Sequence, residues 1–154
     1  QEGKGYGALA ITLDAGNLYL AAELLGIAQE SFDRTLQYLK ERKQFGVLIG
    51  SFQALQHRAA NWWSEVELCK SVVLKGLQAM DGDDAKTSVL ASTAKAKLCE
   101  VAELATNEAI QMHAGIGMTD EYEIGFFIKR ARPAQMMFGD NSYHNDRFAR
   151  LNGY

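Results

Sequence analysis

Arg42 and Gln44, followed by Phe45 and Gly46, are the first residues in the chain whose types and spacing could do chemistry. In Glu41-Arg42-Lys43-Gln44-Phe45-Gly46, two cations and an amide stand beside one aromatic ring. One reading is a capped helix end followed by a solvated loop. Cations complement the negative end of a helix dipole, and glycine accepts the positive φ at which helices stop. The other reading is a ligand site, with Arg42 and Gln44 facing an anion and Phe45 covering its flat part. The six residues alone favour the first reading and leave the second open. Elsewhere chemistry is sparse. His57, His113 and His144 are far apart, lack the i, i+4 spacing of a metal pair, and read as surface or interface groups; no metal is expected. Gly115-Ile116-Gly117 closes a helical run instead of following a strand, so a dinucleotide fold fails its context test. Trp62 and Trp63 read as core and partner surface.

The elements that must position these residues are helical. Leu18, Leu25, Phe32, Leu36 and Leu39 recur at helical spacing between about Leu13 and Lys40. From Phe52 to Met80, apolar residues step by three and four through Leu55, Ala59, Trp62, Val66, Cys69, Val73 and Leu77, the stripe of a bundle helix. Asp81-Gly82-Asp83-Asp84 breaks the chain, with glycine to end one helix and an aspartate to cap the next. A third run from Ala85 to His113 carries Leu90, Ala94, Leu98, Val101, Ala105, Ala109 and Met112 on one face and stops at Ala114-Gly115. Glu121 to Arg132 reads as a shorter helix ending before Pro133, the single proline, and Tyr143 to Leu151 as a last one entered through Gly139-Asp140. With one proline and no regular turn spacing, few hairpins are expected. The predicted fold is an all-α, up-down helical bundle of the four-helix-bundle type with short extra C-terminal helices, one domain over residues 1–154.

Composition bounds the function. Hydrophobic residues at 47% and charged residues at 23% suit an ordinary globular core, and a net charge of -3 offers no basic field for nucleic acid. Cys69 and Cys99 lie inside apolar runs and read as buried free thiols of a reducing compartment. No membrane span and no signal pattern are read, so a cytoplasmic location is expected. Gln1 to Gly7, without an initiator methionine, reads as a polar, flexible lead-in, as in a domain of a longer chain.

Two separated motifs carry a resemblance. Leu24-Leu25-Gly26-Ile27-Ala28-Gln29, Tyr38-Leu39-Lys40-Glu41-Arg42-Lys43-Gln44-Phe45-Gly46 and Phe52-Gln53-Ala54-Leu55-Gln56 resemble the C-terminal helical domain of flavin-dependent acyl-CoA dehydrogenases. Ala109-Ile110-Gln111-Met112-His113-Ala114-Gly115-Ile116-Gly117-Met118 is similar to that family's Q-x-x-G-G-x-G-[YF] segment, with Ala114 for a glycine and Met118 for an aromatic. The resemblance implies FAD sites shared between the subunits of an oligomer. Arg42 would neutralise pyrophosphate charge with its forked donors. Phe45 would pack near the adenosine part, and Gln44 and Gln53 would offer hydrogen bonds. Gln111 and the Ala114-Gly115 backbone would approach the same cofactor.

The family's reaction moves a proton from the acyl α-carbon to a carboxylate base and a hydride to flavin, and passes electrons to an acceptor such as an electron-transfer flavoprotein. Lys129-Arg130-Ala131-Arg132 resembles the segment before the usual glutamate, but Phe138 falls where that glutamate stands and Gly139 matches the glycine after it. The alternative base position on the first helix, Leu13-Asp14-Ala15-Gly16-Asn17-Leu18, lacks both the glutamate and its arginine. Asp140 is the nearest candidate base, with a helix cap as its other reading. The missing glutamate resembles the non-catalytic member of heteromeric enzymes, which are associated with bulky thioesters such as steroid side chains. The implied protein is an FAD-dependent acyl-CoA dehydrogenase-like subunit in a homo- or hetero-oligomer, inactive as an isolated domain. The alternative is a helical assembly module that has lost the base.

Overall fold

The computed structural model describes Gly3 and residues 5–154. Three long helices carry the fold: α1 (Gly5–Glu41), α2 (Gln53–Asp81) and α3 (Thr87–His113). Two shorter ones follow, α4 (Ile124–Met136) and α5 (Asn141–Leu151), which gives the expected up-down all-α bundle. The stripes read from the sequence meet in one core. Leu18, Leu24, Trp62, Val66, Leu98, Val101 and Ile124 are essentially inaccessible, and Phe32 meets Trp62 edge to face at 5.2 Å. Small residues set how closely the helices approach. Ala21 and Ala28 on α1 and Ala91, Ala94, Ala102 and Ala105 on α3 are fully buried. A Cβ on Gly76 of α2 would meet the Leu18 side chain at 2.4 Å. Ser31 and Thr35, polar inside this core, donate to the helix carbonyls of Ile27 and Ser31 at 2.7 Å, so no donor is left dry.

Several expectations need correction. α1 begins at Gly5, so Gly5–Gly7 belong to the helix, because Ala8, Leu9 and Ala10 are strong helix formers that extend an existing nucleus. The rest of the expected lead-in, Gln1, Glu2 and Lys4, lies outside the described residues. By length and apolar content α1 is long enough to cross a membrane, contrary to the sequence reading, and its Leu18, Ala21, Leu24 and Ala28 are buried in the bundle. Pro133 sits inside α4. It removes the donor to the Lys129 carbonyl, yet one more turn forms because Ala134 and Gln135 are buried and Gln135 donates to the Cys99 carbonyl at 2.6 Å. His113 and His144 are buried instead of lying on the surface; His57 is exposed. After Gly82, the Asp84 carboxylate accepts from Lys86 N–H at 2.8 Å in the turn before α3, but Lys86 itself stands at the N-cap without a side-chain cap, so the expected aspartate cap is not formed.

Candidate functional site

The Arg42 stretch is a hairpin and not a loop. Arg42 N–H closes α1 on the Tyr38 carbonyl, and its own carbonyl accepts from Ile49 at 2.9 Å. Between them β1 (Lys43–Gln44) pairs antiparallel with β2 (Val47–Leu48). Phe45 and Gly46 form the two-residue turn at φ 53° and 81°. Positive φ at both central positions is the turn geometry that matches strand twist, and it normally selects Asn, Asp or Gly first. An aromatic there costs on the order of 1–2 kcal/mol. The Phe45 ring is nonetheless 90% exposed, with only an edge contact to Phe52 at 6.3 Å. The positive-φ backbone of the hairpin tip therefore projects an apolar ring into solvent. Arg42, Gln44 and Gln53, the first residue of α2, are exposed beside it.

A small second core ties this hairpin to the end of α3. Leu39, Ile49 and Met112 pack together with Tyr38 and Leu55 around them. Next to it Tyr38 stacks on His113 at 4.3 Å, and Tyr122 lies 5.0 Å from the same ring. His113 Nδ1 donates to the Ala109 carbonyl at 2.7 Å, and burial pushes its pKa down against that bond. Gln111, Ala114 and Gly115 are exposed at this same end. Ala114 has φ 53° and ψ -133°, a region open to glycine and costly for any residue with a Cβ. The first two of the glycines expected to allow close approach therefore differ. Ala114 occupies the glycine-type backbone, whereas a Cβ on Gly115 would meet nothing within 4 Å.

Asp140 lies elsewhere. Its carboxylate caps α5 by accepting from Tyr143 N–H at 2.9 Å. The corner just before it, Met137-Phe138-Gly139, is held by groups that sequence reasoning passed over. Lys95 of α3, fully buried, donates to the carbonyls of Gln135, Met137 and Gly139 at 2.9, 3.0 and 2.8 Å. Burial lowers the Lys95 pKa, with Cys99 and Asp140 opposing. His144 Nε2 donates to the Phe138 carbonyl at 3.2 Å, and burial, reinforced by Lys95, drives its pKa to about 4. Arg147 bonds Ser92 Oγ at 2.9 Å and pairs with the buried Asp14 of α1 at 2.7 Å. The Phe138 ring lies on Gly16, where a Cβ would come within 2.8 Å of it. The signal for Lys95 was legible: a lysine placed among Ala91, Ala94 and Leu98 interrupts a stripe that otherwise has no reason to carry charge.

The candidate residues thus form two groups. Lys95, which touches the Asp140 corner, and His113, which adjoins the hairpin, are eighteen residues apart on α3 (113 minus 95), or about 27 Å at 1.5 Å per residue. Residues 3–151 match the family model described as acyl-CoA dehydrogenase, C-terminal domain. The chain belongs to that family. The probable acyl-CoA dehydrogenase YngJ of Bacillus subtilis is 40% identical over 129 residues, 84% of this chain and 34% of that protein. Butyryl-CoA dehydrogenase from Megasphaera elsdenii has the same fold with a TM-score of 0.94 at 29% identity, covering 99% of this chain and 40% of the other. A steroid acyl-CoA dehydrogenase variant matches with a TM-score of 0.89 at 32% identity, over 94% of this chain and 40% of that one. The chain therefore spans between about a third and two fifths of the length of these relatives.

Proposed function

We propose that this chain is the C-terminal domain of an FAD-dependent acyl-CoA dehydrogenase-like subunit, acting on a CoA thioester within an oligomer. The observation that carries the reading is the separation of the two groups along α3, which suits a domain that serves two sites in an assembly. At the hairpin end, the exposed guanidinium of Arg42 and the strained, exposed ring of Phe45 fit a neighbouring subunit's FAD. Arg42 would take the pyrophosphate, Phe45 the adenosine part, and Gln44, Gln53 and Gln111 the remaining polar edge, with the Ala114-Gly115 backbone alongside. Bound there, FAD would supply the hydride acceptor.

At the other end the chain's own residues close the position of the base. Phe138 rests on Gly16, and the Asp140 carboxylate is engaged in capping α5. This supports a subunit that lacks its own base and pairs with a homologous subunit that has one; an Asp140-dependent enzyme is the alternative. The likeness to a steroid acyl-CoA dehydrogenase supports a bulky acyl group such as a steroid side chain. Electrons would leave to an electron-transfer flavoprotein, and the buried free thiols Cys69 and Cys99 suit a cytoplasmic location.

The test is the flavin spectrum of the full-length protein, alone and with a homologous subunit. Arg42→Ala should weaken FAD retention tenfold to a hundredfold, the loss of a charge-assisted hydrogen bond of roughly 1.5–3 kcal/mol. Arg42→Lys should lose affinity as well, since a point charge replaces a fork. A colourless assembly, or full FAD content in both variants, would refute the reading.

A further inference from the structure

We propose that Lys95 is the positioning residue of the site just described: its ammonium gathers the carbonyls of residues 135, 137 and 139 and so fixes where the side chains of Phe138 and Asp140 stand. The proposal rests on the functional reading above only in what the corner faces; the clamp itself is a matter of geometry.

An ammonium has three N–H donors, and three carbonyls lie at 2.8–3.0 Å from Lys95 Nζ, so every donor is used. The acceptors are alternate carbonyls running out of the last turn of α4, where a helix leaves its carbonyls unpaired and its dipole favours a cation. Collecting them turns the chain sharply. Met137 is extended at ψ 129°, while Phe138 and Gly139 both take positive φ, 60° and 110°. A phenylalanine enters that region only where its surroundings over-determine it. Here the Phe138 carbonyl is tied to His144, the carbonyls on either side to Lys95, and the ring lies on Gly16. Gly139 is under a second constraint, because a Cβ would fall 2.2 Å from the Tyr143 ring. The turn ends with Asp140 in place to cap α5. Without the ammonium, the carbonyls of Met137 and Gly139 would lose this donor and that of Gln135 would keep only the weak Cys99 thiol, so the corner would open to recover water.

The experiment uses the full-length assembled protein and amide hydrogen exchange read by mass spectrometry. Lys95→Met keeps the length and apolar stem and removes the donors. Peptides carrying the hydrogen-bonded amides of Met137, Gly139, Tyr143 and His144 should exchange at least tenfold faster, while those of α1 and α2 stay as in the parent. FAD content should be unchanged and the Michaelis constant for acyl-CoA should rise. In Lys95→Ala, added n-propylammonium replaces the missing atoms and should restore protection, whereas n-propanol should not. Parent-like exchange at the corner in Lys95→Met, or equal rescue by the alcohol, would overturn the proposal. Should neither variant fold, Gly139→Ala breaks the corner from the other side. Native lysine acetylation should then label Lys95, which is protected in the parent, and continued protection would overturn the clamp. The exchange and labelling readouts need no turnover, so they succeed or fail apart from the assay of acyl-CoA oxidation.

Discussion

The Ala114 backbone makes a prediction that a single methyl group decides. At φ 53° and ψ -133°, its Cβ is in a region that costs about 1–3 kcal/mol for a residue other than glycine. The residue is exposed, so removing the methyl loses little burial. Glycine adds freedom to the unfolded chain, a cost of about 0.4–1 kcal/mol. Ala114→Gly should therefore stabilise the protein by about 1.3 kcal/mol, the difference between the midpoints of those two ranges. The adjacent glycines provide controls. Gly115→Ala meets open space at ordinary φ and should be neutral or slightly stabilising. Gly117→Ala would bring a Cβ to 2.9 Å from the Ile110 carbonyl and 3.0 Å from His113 Cβ, atoms that cannot swing aside, and should destabilise. The assay is urea unfolding of the full-length protein followed by far-ultraviolet circular dichroism. An unchanged or lowered midpoint for Ala114→Gly, with Gly115→Ala equally harmful, would show that the strain is not there. If the same backbone approaches FAD, Ala114→Gly should also leave flavin retention equal or better.

Two further outcomes follow from the other end of the bundle. His144 is buried with its pKa lowered from 6.5 to about 4, so between those values the unfolded chain binds the extra proton; its contribution is complete above pH 6.5 and lost as pH falls towards 4, by up to about 3 kcal/mol. Because Lys95 and Arg147 oppose its protonation and Asp14 favours it, His144→Gln should flatten the acid limb of a stability–pH curve, leaving the same-direction effect of His113; parallel curves would refute this. Asp140→Asn keeps the cap, since asparagine caps helices about as well. The variant, assembled with its partner subunit, should retain acyl-CoA oxidation, and a loss of orders of magnitude would make Asp140 the base.

Periodicity made the long helices legible, because a stripe such as Trp62, Val66, Cys69 and Val73 has no other use than burial. The fold class and the two buried thiols were both readable by such local rules. Pro133 was misread because local rules end a helix there, whereas Gln135, bonded across to Cys99, keeps it going from outside. The histidines were misread for a related reason. A histidine carries no sign of burial in its own neighbourhood, and the partners that make burial tolerable for His144 come from Phe138 and Ser92. Lys95 was passed over although its position was anomalous, since its three acceptors are backbone carbonyls forty or more residues away, and carbonyls leave no mark in a sequence.

The same argument explains why the motif at Arg42 supported two readings. Cap chemistry and ligand chemistry use the same residues, and only backbone conformation separates them. Among the described residues, the non-glycine positions at positive φ are Phe45, Asp83, Ala114 and Phe138. Asp83 belongs to the turn after α2, where aspartate tolerates that conformation through its short polar side chain. The other three have no such excuse, and each falls in a segment singled out for its resemblance: the hairpin tip, the end of α3 and the place of the missing base. Propensity alone would put glycine or asparagine at all three. A phenylalanine at two of them gains nothing for the local turn, and what it adds is a ring at a fixed place. For Phe138 the contact is visible, the bare backbone of Gly16. For Phe45, nine tenths exposed, the chain itself supplies only the edge of Phe52, which is why the proposed function gives its ring to a bound cofactor.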